Sequence, residues 1–313
     1  MRVRLVLTVL LAVTTSIFAC GEDDARECRV GADCASGQCS IDGRCLAVGA
    51  NGGDAGTNDA TTTNDSATDA SMESGADAAL PGCTPNKDGT ITREEIPIKT
   101  GLKATYRVAL DESVSTAGTP AGENRVWDFS IAFASDTNVI VETQALAGKW
   151  FAGDFPTATY AAKLREGSDL LGVFETKPAS FVLLGVASTT DGFQSSKLKN
   201  DPPVDVIQFP LKVGATWTTE TSVSGTLSGV PGVYTEKYVS KVDVKGTLKT
   251  PLGSFDVLRV GTVLTRTQGF LVTTLRSFAF VTECYGTIAT VSSQNNETEA
   301  EFTRAAELRR IAP

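Results

Sequence analysis

Four cysteines fall within eighteen residues, Cys28, Cys34, Cys39 and Cys45, separated by five, four and five others. Two chemistries suit such a cluster: disulfide bonding, or thiolate ligation of a metal such as zinc. Zinc sites favour about two to four residues between paired cysteines. The stretch CRVGADCASGQCSIDGRC also holds no aromatic residue with which to build a core. Disulfides are therefore expected to hold it together, in one of three pairings that spacing does not choose between. Cys83 and Cys284 stand alone in the rest of the chain and are the expected partners of each other. A seventh thiol, Cys20, is left over, and in an exported chain an odd thiol needs a purpose.

Other reactive constellations are sparse. The chain has 313 residues and no histidine, so Ser-His and Cys-His catalysis, the common zinc hydrolase sites and imidazole switching are unavailable. No G-x-S-x-G, phosphate-binding loop or dinucleotide fingerprint occurs. A single S-x-x-K of interest, Ser196-Lys197-Leu198-Lys199, is expected in a loop before Asp201-Pro202-Pro203 and is at chance frequency. A carboxylate-pair hydrolase is the third-ranked reading, and its test is a separation in space that sequence does not supply. Net charge is −9, with no basic block of the kind that nucleic-acid binding needs. Residues 20–82 carry 12 acidic and 3 basic side chains, whereas residues 83–313 are nearly balanced.

Residues 1–19 have Arg2 and Arg4, then an apolar run from Leu5 to Ala19, the layout of a secretory signal. The run is shorter than the ~20 residues a spanning helix needs. Its end, Ile17-Phe18-Ala19-Cys20, resembles the bacterial lipobox, in which the cysteine is acylated and becomes the mature N-terminus. The alternative is cleavage after Ala19 and free secretion. Acylation of Cys20 accounts for the odd thiol and gives durable membrane attachment. The chain then reads as a lipidated start at 20–27, a small disulfide module at 28–45 and an acidic linker at 46–82. That linker has no aromatic, Lys or Arg residue and cannot offset its ordering entropy, so disorder is expected.

Residues 83–95 carry a loop motif. Thr84-Pro85-Asn86-Lys87-Asp88-Gly89-Thr90-Ile91-Thr92-Arg93-Glu94-Glu95 resembles the twelve-residue EF-hand or dockerin calcium loop. Gly89 takes the sharp-turn sixth place, and Thr84, Asn86, Asp88, Thr90 (carbonyl), Thr92 and Glu95 take the ligand places. The family expects Asp at the first place, where this chain has Thr84, and Pro97 limits any following helix. The resemblance implies calcium of millimolar-range affinity as the one cofactor candidate. The competing reading is a turn set by Asn, Asp and Gly that holds no ion.

From residue 96 onward the pattern alternates, as half-buried strands do. Expected strands include Ala104–Leu110, Arg125–Ser130, Asn138–Thr143, Leu171–Thr176, Ser180–Ala187, Val204–Pro210, Thr216–Val223, Val233–Lys245, Ser254–Thr267, Leu271–Glu283 and Thr287–Ser292, with Glu299–Ile311 leaning to strand. Clusters at Ala117–Asn124, Asn200–Pro203 and Gly225–Gly232 read as punctuation. The fold class is mainly β: an antiparallel meander over 96–313, curled into a sandwich, half-barrel or barrel. Trp127, Trp150, Trp217, Phe151 and Phe155 are expected in its core, with a ligand groove as the alternative.

The lipobox, the Asp33-Cys34-Ala35-Ser36-Gly37-Gln38-Cys39 phrase, the tether and the Pro251-Leu252-Gly253-Ser254-Phe255 turn together resemble myxobacterial-type cell-envelope lipoproteins. That resemblance implies an address and an architecture but no activity. The leading expectation is a non-enzymatic envelope lipoprotein, lipid-anchored and facing the periplasm or cell exterior. It presents a β domain for binding or structural work, with a protein, glycan or lipid partner unassigned. The runner-up is a lipid or lipoprotein carrier with an apolar ligand on the concave face of the sheet.

Overall fold

The computed structural model describes residues 83–313 apart from Pro97 and Glu166. The signal at 1–19, Cys20 in the segment 20–27, the module at 28–45 with its four cysteines and the linker at 46–82 lie outside the described residues.

Sixteen strands run through this region: β1 (Thr90–Ile91), β2 (Lys103–Ser113), β3 (Thr119–Ala121), β4 (Asn124–Asp128), β5 (Thr137–Glu142), β6 (Tyr160–Lys163), β7 (Leu170–Thr176), β8 (Ser180–Ser188), β9 (Lys197–Gln208), β10 (Leu211–Lys212), β11 (Thr216–Leu227), β12 (Val230–Lys249), β13 (Ser254–Gln268), β14 (Leu271–Thr282), β15 (Gly286–Ser293) and β16 (Arg304–Ile311). Twelve form one antiparallel path, β5-β2-β16-β15-β14-β13-β12-β11-β9-β8-β7-β6. The path curls until its two edges meet at one bridge. There the Gln144 amide donates to the Ala161 carbonyl (2.7 Å) and the Ala161 amide to the Gln144 carbonyl (2.9 Å). The sheet is thus a nearly closed barrel, which leaves little unpaired edge.

Strand β11 shows why this sequence makes such a sheet. Its Trp217, Thr219, Thr221 and Val223 are buried, and the intervening Thr216, Thr218, Glu220 and Ser222 are exposed, the two-residue period of a pleated strand with one covered face. Pairing register carries the covered face across the barrel: Trp217 lies beside Ser240, Ser240 beside Thr262, Thr262 beside Ser277, Ser277 beside Ser292 and Ser292 beside Glu307. A row of hydroxyls ending in a carboxylate therefore lines this concave face.

Three apolar clusters hold the barrel. One lies on the outer face, where Val114, Trp127 and Phe129 cover Phe278, Phe280, Leu308 and their neighbours. Another lies on the concave face, where Ile91 and Ile96 pack on Trp217, Val242, Val260 and Phe181. The third joins Phe151 and Phe155 to the sheet at Leu171, Val173 and Val182. The named aromatics Trp127, Trp217, Phe151 and Phe155 are accordingly buried core, and Trp150 packs against the third cluster.

Two buried arginines lock the outer covering. Arg310 donates to the Phe129 and Ile131 carbonyls and to both oxygens of Asp136. Arg259 reaches Asp243 and Glu301 through its guanidinium nitrogens (2.6 Å each) and the Thr116 carbonyl, and lies 4.2 Å from the Phe278 ring centre. Burial pulls the Arg259 guanidinium down, but the two carboxylates more than offset it.

Two local expectations change. Asn200–Pro203 is not a strand terminator but an arc within β9. Pairing with β11 stops at Asp201, and the β8 register skips from Lys199 to Val204, so Pro202 and Pro203 break no ladder bond, as proline requires. Lys197–Lys199 consequently lies in a strand and not in a loop.

Candidate functional site

The segment 83–96 forms a strap against one end of the barrel. Cys83 is disulfide-bonded to Cys284, 201 residues later in sequence. Beside that bond the Lys87 amide donates to both Glu283 oxygens, at 3.1 and 3.2 Å, and the Cys284 amide donates to the Glu95 carbonyl at 2.8 Å. Strand β1 pairs with β10, and Ile91 is buried there. Cys284 itself sits in the β14–β15 turn at φ 69°, a corner and not a strand position.

The strap draws together most of the loop's proposed calcium ligands. The Asn86 amide nitrogen donates to Glu95 Oε1 (2.6 Å) and Asn86 Oδ1 accepts from the Asp88 amide (2.9 Å). Asp88 Oδ1 accepts from the Thr90 amide (2.7 Å), and Glu95 Oε2 from the Thr92 amide and hydroxyl (2.7 and 3.0 Å). Thr84 is exposed at the strap's start. Both Glu95 oxygens are thus occupied by donors of the loop itself, the arrangement of a self-capped turn. Among the described residues no group of three or more His, Cys, Asp or Glu is placed to hold a metal ion.

Against the strap lies a cleft of about 620 Å³, walled by Lys87 and Asp88 of the strap, Lys245 of β12, Asp256 of β13, Glu283 and Tyr285. Phe255 and Tyr285 meet edge to face, ring centres 5.2 Å apart. Phe255 is the second residue of β13, just after the Thr250–Gly253 turn that joins the two long strands β12 and β13, so the sequence motif delivers an aromatic ring to the cleft. Gly246, also in the wall, pairs with Arg125 of the parallel strand β4. A Cβ there would stand 1.9 Å from the Arg125 carbonyl oxygen, so only glycine permits that approach. The cleft therefore offers two aromatic faces, cations and anions, and backbone groups. No sequence pattern foretold it, because its walls come from segments up to about 200 residues apart and only the disulfide pairing hinted at their meeting.

The S-x-x-K pair is separated by the same geometry. Ser196 immediately precedes β9 and is buried, whereas Lys199 lies within β9 and is exposed. Ser196 Oγ accepts from the Ser228 amide (2.9 Å), while Lys197 and Lys199 both pair with Asp154, at 2.6 and 3.3 Å. The hydrogen bond from Lys197 holds the Asp154 carboxyl below the usual carboxylate range.

Two features of the concave face escaped sequence reading. Glu236 is buried with Arg266 (2.7 Å) and accepts from the Tyr238 hydroxyl (2.6 Å). Burial, reinforced by Glu236, pushes the Tyr238 phenol well above its ordinary value. Farther round, Glu307 pairs with Arg309 at 3.1 Å and Arg165 at 3.7 Å. Buried charges of this kind give the trough a polar lining.

The chain matches no known protein-family profile, and no curated protein matches it. Among solved structures it is similar to a Bacteroides fragilis protein provisionally described as exported, with a YmcC-like fold. The TM-score is 0.28 at 10% identity, covering 73% of this chain and 96% of that one. A likeness that distant carries no argument about fold or activity.

Proposed function

We propose that the protein is a non-enzymatic, lipid-anchored envelope protein that presents its barrel as a binding module, with the strap cleft as the ligand site. The observation that carries this reading is the cleft's construction. Its walls are fixed by a disulfide, by the paired amides at Glu283 and by the Gly246 crossing, while Phe255 and Tyr285 keep partly exposed rings. A preorganised aromatic face with hydrogen-bonding groups of both signs suits a hydroxyl-rich ligand such as a saccharide. The reactive groups of the walls are engaged structurally: Thr282 Oγ1 donates to the Asp256 carbonyl (2.7 Å) and Glu283 holds Lys87. The disulfide supports an oxidising compartment, and the lipobox letters support attachment through Cys20.

The carrier reading has less support. Ser240, Thr262, Ser277, Ser292 and the ion-paired Glu307 place hydroxyls and a carboxylate where an acyl chain would lie, a polar lining that an apolar chain does not suit.

The reading is tested by screening the purified protein against envelope polysaccharide fragments, with Tyr285→Ala and an Ile140→Ala surface control. Loss of roughly one ring contact should weaken binding about tenfold in Tyr285→Ala only. Equal binding by both variants, or retention of lipid and no saccharide, would count against the cleft.

A further inference from the structure

The two ends of the barrel differ in chemistry. Strand β11 ends at Leu227 and turns through Ser228 and Gly229 into β12, while β13 ends at Gln268 and turns through Gly269 and Phe270 into β14. Antiparallel pairing puts both turns at one end, together with the segment joining β8 to β9. The disulfide strap is at the other end, a β14 length away. The turns are physically joined: the Gly229 amide donates to the Ser195 carbonyl (3.1 Å) and the Ser228 amide to Ser196 Oγ (2.9 Å). Thr235 pairs with Thr267, which sets the β13–β14 turn beside the first residues of β12.

These apices are apolar. Leu227, Val230, Leu271 and Val272 are exposed, Phe193 is 95% exposed and Phe270 is 109% exposed, as open as in an extended chain. Across residues 190–196, 226–233 and 268–273 the one charged side chain is Asp191. Ser228, Gly229 and Gly269 have φ of 49°, 78° and 60°, so tight turns hold the apolar residues outward. Just behind them, charges are matched: Lys237 pairs with Glu220 and Arg266 with Glu236. The patch carries a single charge, Asp191, and is spread over three turns. A protein receptor would need a complementary apolar hollow for each tip, whereas a bilayer interface accepts separate apolar tips without shape matching. The absence of a basic collar points to a zwitterionic surface.

We infer that this end of the barrel docks on a zwitterionic phospholipid bilayer, with Phe193 and Phe270 entering the interface. The inference rests on the three turns and does not depend on acylation of Cys20 or on a ligand in the cleft.

The test uses the full chain as isolated from cells, with Phe193→Trp, Phe270→Trp and, near the opposite end, Val213→Trp as reporters. Each is read above the native tryptophan signal on phosphatidylethanolamine–phosphatidylcholine vesicles with brominated acyl chains. At the ~5–10 Å depth of interfacial insertion, the two tip reporters should lose about half their emission and shift to the blue, with Val213→Trp unchanged. Unquenched tips, or equal quenching of all three reporters, would overturn the inference. So would a blue shift of the tips that grows with protein concentration without vesicles, which assigns the patch to a second copy. Cosedimentation of every form without tip quenching would leave the anchor in place and remove only the docking.

Discussion

Glu283 receives the Lys87 amide on both carboxylate oxygens, one residue before the Cys284 that is bonded to Cys83. A charge-assisted acceptor and a covalent bond thus fix the same strap at adjacent positions, and the strap forms one wall of the cleft.

Replacing both Cys83 and Cys284 by serine should destabilise the domain by up to about 5 kcal/mol, since the bond closes a very long loop in the unfolded chain. Glu283→Gln keeps a neutral acceptor and should cost roughly 1 kcal/mol. Urea unfolding of the three forms measures both. A double serine variant as stable as wild type would show that the strap is held by β1 and Ile91 alone.

Arg259 is the centre of the outer covering, and its removal strands Asp243 and Glu301. Arg259→Met should cost about 3 kcal/mol, because partly buried carboxylates lose their partner. Arg259→Lys should fall between, keeping charge but losing the fork and its stacking on Phe278. Thermal unfolding checks the order; a methionine variant as stable as the lysine one contradicts it.

Burial pushes the Tyr106 hydroxyl up to about 12 and raises Tyr160 and Tyr238 further. Unfolded tyrosine ionises near ~10. The resulting stabilisation is complete below about pH 10 and is lost as pH rises through the folded values. Tyrosinate absorbance should therefore show these three phenols ionising only with unfolding. A single smooth titration near pH 10 in a folded protein would refute the burial.

The turn at 86–95 satisfies Glu95 and Asn86 internally. Millimolar calcium and chelator are accordingly expected to give the same unfolding midpoint. A rise of several degrees with calcium would show that Asn86, Asp88, Thr90, Thr92 and Glu95 reorganise into a cage after all.

Strands bounded by glycine and proline were readable in advance. Ser254–Thr267 and Leu271–Glu283 differ from β13 and β14 by one residue at an end, because alternation and turn chemistry agree there. Asn200–Pro203 misled for a physical reason: proline ends a strand only where a ladder bond is due, and none is due at Pro202 or Pro203. Strands β1, β6 and β10 are too short to show a period, and β1 and β10 depend on each other across a long stretch of sequence. The pairing of Cys83 with Cys284 was legible from counting. The cleft was not, since the proximity of Phe255 to Tyr285 and of Lys87 to Glu283 is a product of register.

Attachment to the envelope is the claim on which the binding role depends, and the mass of the mature N-terminal peptide from native cells tests it most directly. The account predicts a peptide beginning at Cys20 with fatty acyl groups on it, and the other six cysteines in disulfides under non-reducing conditions. A peptide beginning at Met1, or one beginning at Cys20 without acyl groups, would contradict it.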